Sequence, residues 1–75
     1  MGKGQAQIAN TIRTLRFQAG EMTQAALAEK VGVTRQTIVA IEQGRYSPSL
    51  EVAFRIARVF GAPLEQVFQY EGGDS

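Results

Sequence analysis

The sequence predicts an all-α fold of five short helices that includes a helix-turn-helix. Two observations predict it: apolar residues recur at helical spacing along most of the chain, and the intervals between them carry Thr, Ser, Gly and Pro where helices begin and end. The 75 residues contain no cysteine and no histidine, which excludes disulfides and the usual zinc sites. We expect one domain at residues 8–70, between flexible segments at 1–7 and 71–75 that hold few apolar side chains.

The first two helices follow from apolar spacing and end signals. Four apolar residues with helical spacing predict the first helix: Ile8, Ile12, Leu15 and Ala19. Thr23 precedes the next apolar run, and its hydroxyl can cap a second helix of about 24 to 31. Gly32 then supplies the left-handed backbone that a helix C-terminus needs.

The third helix follows the second after a very short connection. Only Val33 separates Gly32 from Thr34, which can cap a helix of about 35 to 43 that ends at Gly44. A connection this short makes the third helix pack across the second at a steep angle. The pair is therefore predicted to be a helix-turn-helix.

The third helix has an inward and an outward side. At about 100° per residue, Ile38 and Ile41 fall on one side and anchor the helix to the core. Five residues face the opposite way: Arg35, Gln36, Val39, Ala40 and Gln43.

The outward side suits the edges of base pairs. Arg35 offers two donors to guanine O6 and N7, and Gln36 offers a donor–acceptor pair to adenine N6 and N7. Val39 and Ala40 are small apolar groups that can lie against thymine methyls. By spacing alone, the solvated face of a generic helical bundle is an equal alternative to DNA readout.

The last two helices form the scaffold. Ser49 can cap a fourth helix of about 50 to 60, which has a broad apolar face and ends at Gly61. Pro63 begins a short fifth helix that runs to about Phe68.

The charge distribution favours a dimer on DNA. The net charge is +1, but residues 1–45 hold six Lys or Arg against three Glu, whereas residues 46–75 hold two Arg against four acidic residues. This contrast is mild, so we expect weak, salt-sensitive non-specific binding and poor binding by a single copy. Val67, Phe68 and Tyr70 are candidates for a twofold interface, the alternative being that they close the core.

Several short motifs resemble one family of regulators. They are Thr23-Gln24, Leu27-Ala28, Val31-Gly32-Val33-Thr34, Ile38, Ile41-Glu42, Gly44, Pro48-Ser49-Leu50 and Pro63-Leu64. Together they are similar to the helix-turn-helix of the lambda-repressor, Cro and Xre family of bacterial and phage regulators, in particular its short stand-alone members. The resemblance implies a lambda-repressor-like five-helix fold that binds double-stranded DNA as a homodimer on a near-palindromic operator. It also implies a transcriptional regulator, expected to repress by blocking polymerase.

The resemblance assigns roles to single residues. It implies base contacts for Arg35, Gln36 and Ala40, to which the helical spacing adds Val39. Many relatives have a long polar residue where Ala40 stands, so base discrimination here is expected to rest on Arg35 and Gln36. Phosphate contacts are expected from seven residues: Gln24, Thr34, Thr37, Gln43, Gly44, Arg45 and Tyr46.

A structural ion pair is expected between Arg16 and Glu42. In related repressors an Arg on the first helix pairs with a Glu near the end of the recognition helix. Arg16 lies next to Leu15 on the predicted first helix, so its guanidinium can turn inward. The alternative is that both residues are ordinary surface charges.

Composition excludes other classes of function. No enzyme, cofactor or metal is expected, because a nucleophile–base arrangement cannot be assembled without His or Cys and the carboxylates are scattered. No apolar run approaches the roughly 18 residues of a membrane span, and the start MGKGQAQ has no signal-peptide core, so a cytoplasmic protein is expected. Two alternatives stay open. One is a protein-interaction module of the same fold, such as an antitoxin whose main partner is a toxin. The other is an RNA-associated helical protein, for which Tyr46 is the only candidate stacking aromatic.

Overall fold

The computed structural model describes residues 7–71, and the five predicted helices are present there. In chain order the elements are β1 Ile8–Asn10, α1 Ile12–Gln18, α2 Gln24–Val31, α3 Arg35–Glu42, α4 Leu50–Phe60, α5 Leu64–Val67 and β2 Phe68–Tyr70. The helix-turn-helix and the five-helix architecture are confirmed, but the all-α description is incomplete because the chain also forms a small sheet. The segments predicted to be flexible, 1–7 and 71–75, lie outside the described residues except for Gln7 and Glu71.

The two strands join the ends of the domain. β1 and β2 are antiparallel, with Ile8 opposite Tyr70 and Asn10 opposite Phe68. The prediction that Ile8 belongs to the first helix is wrong, and that helix begins only at Ile12. Strands of three residues are too short to show alternation, and each strand's partner lies at the other end of the sequence, so local pattern does not reveal them.

Side-chain caps fix the start of three helices. Thr23, Thr34 and Ser49 have ψ angles of 161°, 159° and 162°, which hold them in extended backbone just before α2, α3 and α4. Each hydroxyl accepts the backbone N–H of the residue three positions later, at 2.9, 3.2 and 3.2 Å. The three predicted caps are confirmed, and each contributes about 1 kcal/mol to helix stability.

Gly32 makes the turn between α2 and α3. Its φ of 89° is left-handed, and its N–H donates to Ala28 O at 2.8 Å. From α4, Arg55 Nη1 donates to Val31 O at 3.0 Å, and a Cβ at Gly32 would lie 3.2 Å from that nitrogen. Both the backbone angle and the nearby guanidinium therefore favour glycine at the turn.

Each of the five helices contributes the side chains of one side to the core. Its largest fully buried side chains are Ile12, Leu27, Val31, Ile38, Ile41, Ile56 and Val67. Ile38 and Ile41 are the residues predicted to face inward from α3, which confirms the two sides of that helix. Full burial of such a side chain contributes about 1.5–3 kcal/mol, so α3 is held firmly by its inner side.

Candidate nucleic-acid interface

The outer side of α3 is accessible. Arg35, Gln36 and Gln43 are exposed, whereas Val39 and Ala40 are half-buried. None of the five residues predicted to face outward is buried. An α-helix of this kind fits the major groove of B-form DNA, which is about 12 Å wide.

Two threonine hydroxyls meet at the start of α3. Thr34 Oγ1 and Thr37 Oγ1 are 3.0 Å apart, and Thr34 Oγ1 also accepts the N–H of Thr37. Each hydroxyl carries one proton, and only one of the two is used between them. The pair therefore caps α3 and still has one donor for an oxygen outside the protein.

An ion pair connects α1 to the end of α3. Arg16 Nε is 2.7 Å from Glu42 Oε2, and Arg16 Nη2 donates to Glu42 Oε1 at 3.1 Å, so the contact is bidentate. Arg16 Nη1 also donates to Met22 O at 2.8 Å. The side chains are 14% and 9% exposed, respectively. The structure thus brings together the two residues that the resemblance paired, and both side chains are largely buried.

Gln24 takes part in the same network. Its Nε2 donates to Glu42 Oε1 at 3.2 Å, which ties the first residue of α2 to the last residue of α3. The amide proton in that bond is directed at a carboxylate of the protein itself. A phosphate contact by Gln24 must therefore use its other side-chain proton or its backbone N–H.

Asn10 holds the last turn of α3 and was not singled out from the sequence. Its Nδ2 donates to Ile41 O at 3.0 Å, and its Oδ1 accepts the N–H of Ile12 at 3.1 Å. The signal in the sequence is an Asn two residues before a helix, a common site for a side chain to bind nearby backbone. Its bond to α3 depends on the fold and has no local signal.

The first backbone N–H groups after α3 are hydrogen-bonded to carbonyl groups of that helix. The N–H of Gly44 donates to Ile41 O at 3.0 Å, and the N–H of Arg45 donates to Ala40 O at 3.0 Å. Gly44 has no side chain, so the phosphate contact expected there would have to share the N–H that already donates to Ile41 O. Arg45 and Tyr46 are exposed and present their side chains to solvent.

A cleft of about 700 Å³ lies where α1 and the start of α2 meet α3. We call it the arginine cleft, and its lining residues are Asn10, Arg13, Arg16, Thr23, Gln24, Ala25, Arg35, Glu42 and Gln43. It gathers three of the predicted DNA contacts, from Gln24, Arg35 and Gln43, beside the ion pair. Arg13 was not identified from the sequence, where nothing distinguishes it from other helix-surface arginines.

A second surface is apolar. A shallow hollow of about 180 Å³ is lined by Ile8, Pro48, Leu50, Ala53, Leu64 and Phe68, and we call it the apolar hollow. Leu50 is 67% exposed, and Tyr70 at the end of β2 is 76% exposed. Val67 is fully buried, so it belongs to the core and has no surface to offer a partner. Of the three predicted interface residues, only Phe68 and Tyr70 remain available.

Residues 7–71 were also searched for metal sites and membrane spans. Within that range no group of acidic side chains is arranged to hold a metal ion. None of the helices described there is long and apolar enough to cross a membrane.

Several known proteins are similar to this chain in sequence or in fold. The sequence matches the helix-turn-helix family over residues 12–67. It is 58% identical over 50 residues to a helix-turn-helix-type transcriptional regulator of Methanocaldococcus jannaschii, itself uncharacterised, covering 67% of this chain and 76% of that protein. It is 34% identical over 56 residues to the cryptic phage CTXphi transcriptional repressor RstR of Vibrio cholerae, covering 75% of this chain and 50% of that protein. The crystal structure of a Bacteroides fragilis protein superposes with a TM-score of 0.72 at 22% identity, over 83% of this chain and 98% of that chain, which shows the shared fold alone.

Proposed function

The chain belongs to the helix-turn-helix family of DNA-binding transcriptional regulators, which are not enzymes, and we propose that it reads a specific double-stranded sequence with α3 in the major groove. The observation that carries this proposal is the outer side of α3. Arg35 and Gln36 are exposed there, at the start of a helix whose inner side is fixed in the core by Ile38 and Ile41.

Base recognition is assigned to four residues of α3. Arg35 and Gln36 have the donor and acceptor patterns that match guanine and adenine in the major groove. Val39 and Ala40 follow one turn later on the same side and offer small apolar surfaces to thymine methyls. Each well-made bidentate contact discriminates against a wrong base by about 1–3 kcal/mol.

Phosphate contacts surround these four residues. The candidates with donors still available are Gln24, Thr34, Thr37, Gln43, Arg45 and Tyr46. They come from the start of α2, from α3 and from the segment after α3, so they border the base-reading side. Such contacts fix the register of a helix on DNA without reading sequence.

The active species is proposed to be a homodimer joined through the apolar hollow. Leu50 lines this hollow and exposes 67% of its surface, and Phe68 lines it as well. A contiguous apolar surface of this kind marks an interaction site on a protein. A twofold dimer that buries this surface presents two α3 helices to half-sites about one helical turn, roughly 34 Å, apart. Its operator is then a near-palindrome.

Repression is the proposed effect on transcription. The Vibrio cholerae relative is named a transcriptional repressor. The proposed action is that the bound protein occupies an operator and blocks polymerase.

A selection from random duplex DNA at moderate salt tests sequence reading. The wild-type protein is expected to enrich a near-palindrome. Arg35→Ala is expected to lose the preference at one position in each half-site, because one bidentate contact to a base edge disappears. Arg58→Ala, which removes an exposed arginine from α4, is the matched control and should enrich the same sequence as the wild type.

Two outcomes would contradict the proposal. Enrichment of the same sequence with equal stringency by Arg35→Ala would remove α3 as the reader of bases. No enrichment by folded wild-type protein would favour the interaction-module alternative, in which the apolar hollow binds another protein and Arg35 has no special role.

A further inference from the structure

We propose that Arg13 of α1 holds a phosphate of the DNA strand that runs beside α3. This inference rests on the proposed function and adds to it a residue from outside the helix-turn-helix. It starts from the charges in the arginine cleft, where Arg13, Arg16, Arg35 and Glu42 meet.

The arginine cleft carries uncompensated positive charge. Three arginines line it against a single acidic residue, Glu42, and the bidentate pair neutralises Arg16. Arg13 and Arg35 remain, and within residues 7–71 neither guanidinium makes an ion pair or a hydrogen bond. Two free guanidinium groups with no carboxylate of their own favour an anion in the cleft.

Among the described residues, Arg16 and Arg55 are the helix arginines that are held by partners within the protein, and Arg13 is not. Arg55 of α4 donates to Val31 O at 3.0 Å and pairs with Glu51 at 2.8 Å. Both terminal nitrogens of the Arg55 guanidinium are therefore hydrogen-bonded within the protein. Arg13 has no such partner among the described residues, so removing it should leave the fold intact.

The position of Arg13 suits the backbone of DNA better than its bases. Arg13 lies one turn before Arg16, on the side of α1 that faces the end of α3. Arg35, in the first turn of α3, lines the same cleft. When α3 enters the major groove, the phosphates that flank the groove lie beside it, where a side chain from a neighbouring helix reaches them before it reaches a base edge.

The chemistry of the side chain agrees with this position. A guanidinium presents parallel N–H groups in a fixed fork that bonds two phosphate oxygens at once. A lysine supplies the same charge without the fork. Arg13→Lys should therefore preserve the salt dependence of binding and lose part of the affinity.

The test is a salt titration of DNA binding by fluorescence anisotropy, with the selected operator and a scrambled duplex. We expect Arg13→Ala to weaken binding to both duplexes by the same factor. Loss of one phosphate contact lowers the slope of log affinity against log salt by about 0.9, so the ratio of wild-type to variant affinity shrinks about 3.5-fold between 50 and 200 mM salt. Arg58→Ala removes the same charge from an exposed site on α4 and should change neither quantity.

The outcomes separate this inference from the proposed function. If the wild type binds its operator and folded Arg13→Ala behaves like Arg58→Ala, the inference is overturned and the proposed function stands. A loss confined to the operator would also overturn it, because Arg13 would then read bases. If the wild type binds neither duplex, the proposed function fails and this inference fails with it.

Discussion

Removal of Glu42 is expected to destabilise the domain strongly. In Glu42→Ala the Arg16 guanidinium keeps its bond to Met22 O but loses both bonds to the carboxylate, and Gln24 loses its acceptor. Only 14% of the Arg16 side chain is exposed, so most of it remains out of water after its partner is removed. An orphaned charge in that position raises the free energy of the folded state.

The magnitude follows from how far the pair is buried. Removing one partner of a fully buried pair costs about 3–5 kcal/mol. Because part of the Arg16 side chain still reaches solvent, we expect the lower value, about 3 kcal/mol. In a domain of this size 1 kcal/mol lowers the melting temperature by about 4–8 °C, so the expected fall is about 12–24 °C.

Thermal unfolding followed by circular dichroism measures this effect, with Glu71→Ala as the control. Glu71 is exposed at the end of the described chain, and its removal should change stability by less than about 0.5 kcal/mol. The double variant Arg16→Met/Glu42→Leu should recover most of the loss, since it leaves no unpaired charge. Equal melting temperatures for Glu42→Ala and Glu71→Ala would refute the reasoning.

Four further predictions test the turn at Gly32, the bonds that Asn10 makes to the backbone, the phosphate contact proposed for Arg45 and the proposed dimer. Gly32→Ala should lower the free energy of unfolding in urea by about 1–2 kcal/mol because of its φ of 89°, and by more than Gly61→Ala, where no heavy atom lies within 4 Å of the added Cβ. Asn10→Ala should cost about 1–3 kcal/mol in the same assay, because two backbone groups lose their partner; a loss no larger than for an exposed surface residue would contradict this. Arg45→Ala should weaken binding to all duplexes similarly and reduce the salt slope by about 1 in anisotropy titrations, whereas an unchanged slope would exclude a phosphate contact. Leu50→Glu should convert a dimer into a monomer in sedimentation experiments, and a dimer that persists would place the interface elsewhere.

Helices could be predicted from the sequence because their signals are local. The caps at Thr23, Thr34 and Ser49 act on a backbone group three positions away, and the left-handed turn at Gly32 depends on its own missing side chain. The sheet could not be predicted in this way. Ile8 reads equally well as one more apolar position of the first helix, and only its pairing with the far end of the chain decides otherwise.

In the candidate site, too, the features with a local signal could be predicted from the sequence, and those that depend on packing between helices could not. Helical spacing was enough to place Arg35 and Gln36 on an accessible side of α3. It could not separate Arg13 from Arg58, since both are exposed arginines on helices and only the packing of α1 near α3 brings Arg13 into the cleft. Nor could it show that Gly44 has already used its N–H to close the end of α3, which depends on the actual path of the backbone.

The end of α3 is fixed before any DNA is bound, and this bears on how the protein would discriminate sequences. The Thr34 hydroxyl holds its first turn, while the Asn10 amide and the Arg16 guanidinium hold its last. Only exposed side chains such as Arg35 and Gln36 still have to be ordered on binding, at about 0.5–1.5 kcal/mol each. Removing the bond from Asn10 or Arg16 therefore weakens binding to the operator without removing any proposed DNA contact. Base-edge bonds require closer placement of the side chain than phosphate bonds do. A variant such as Asn10→Ala should therefore lose more affinity for the operator than for a scrambled duplex.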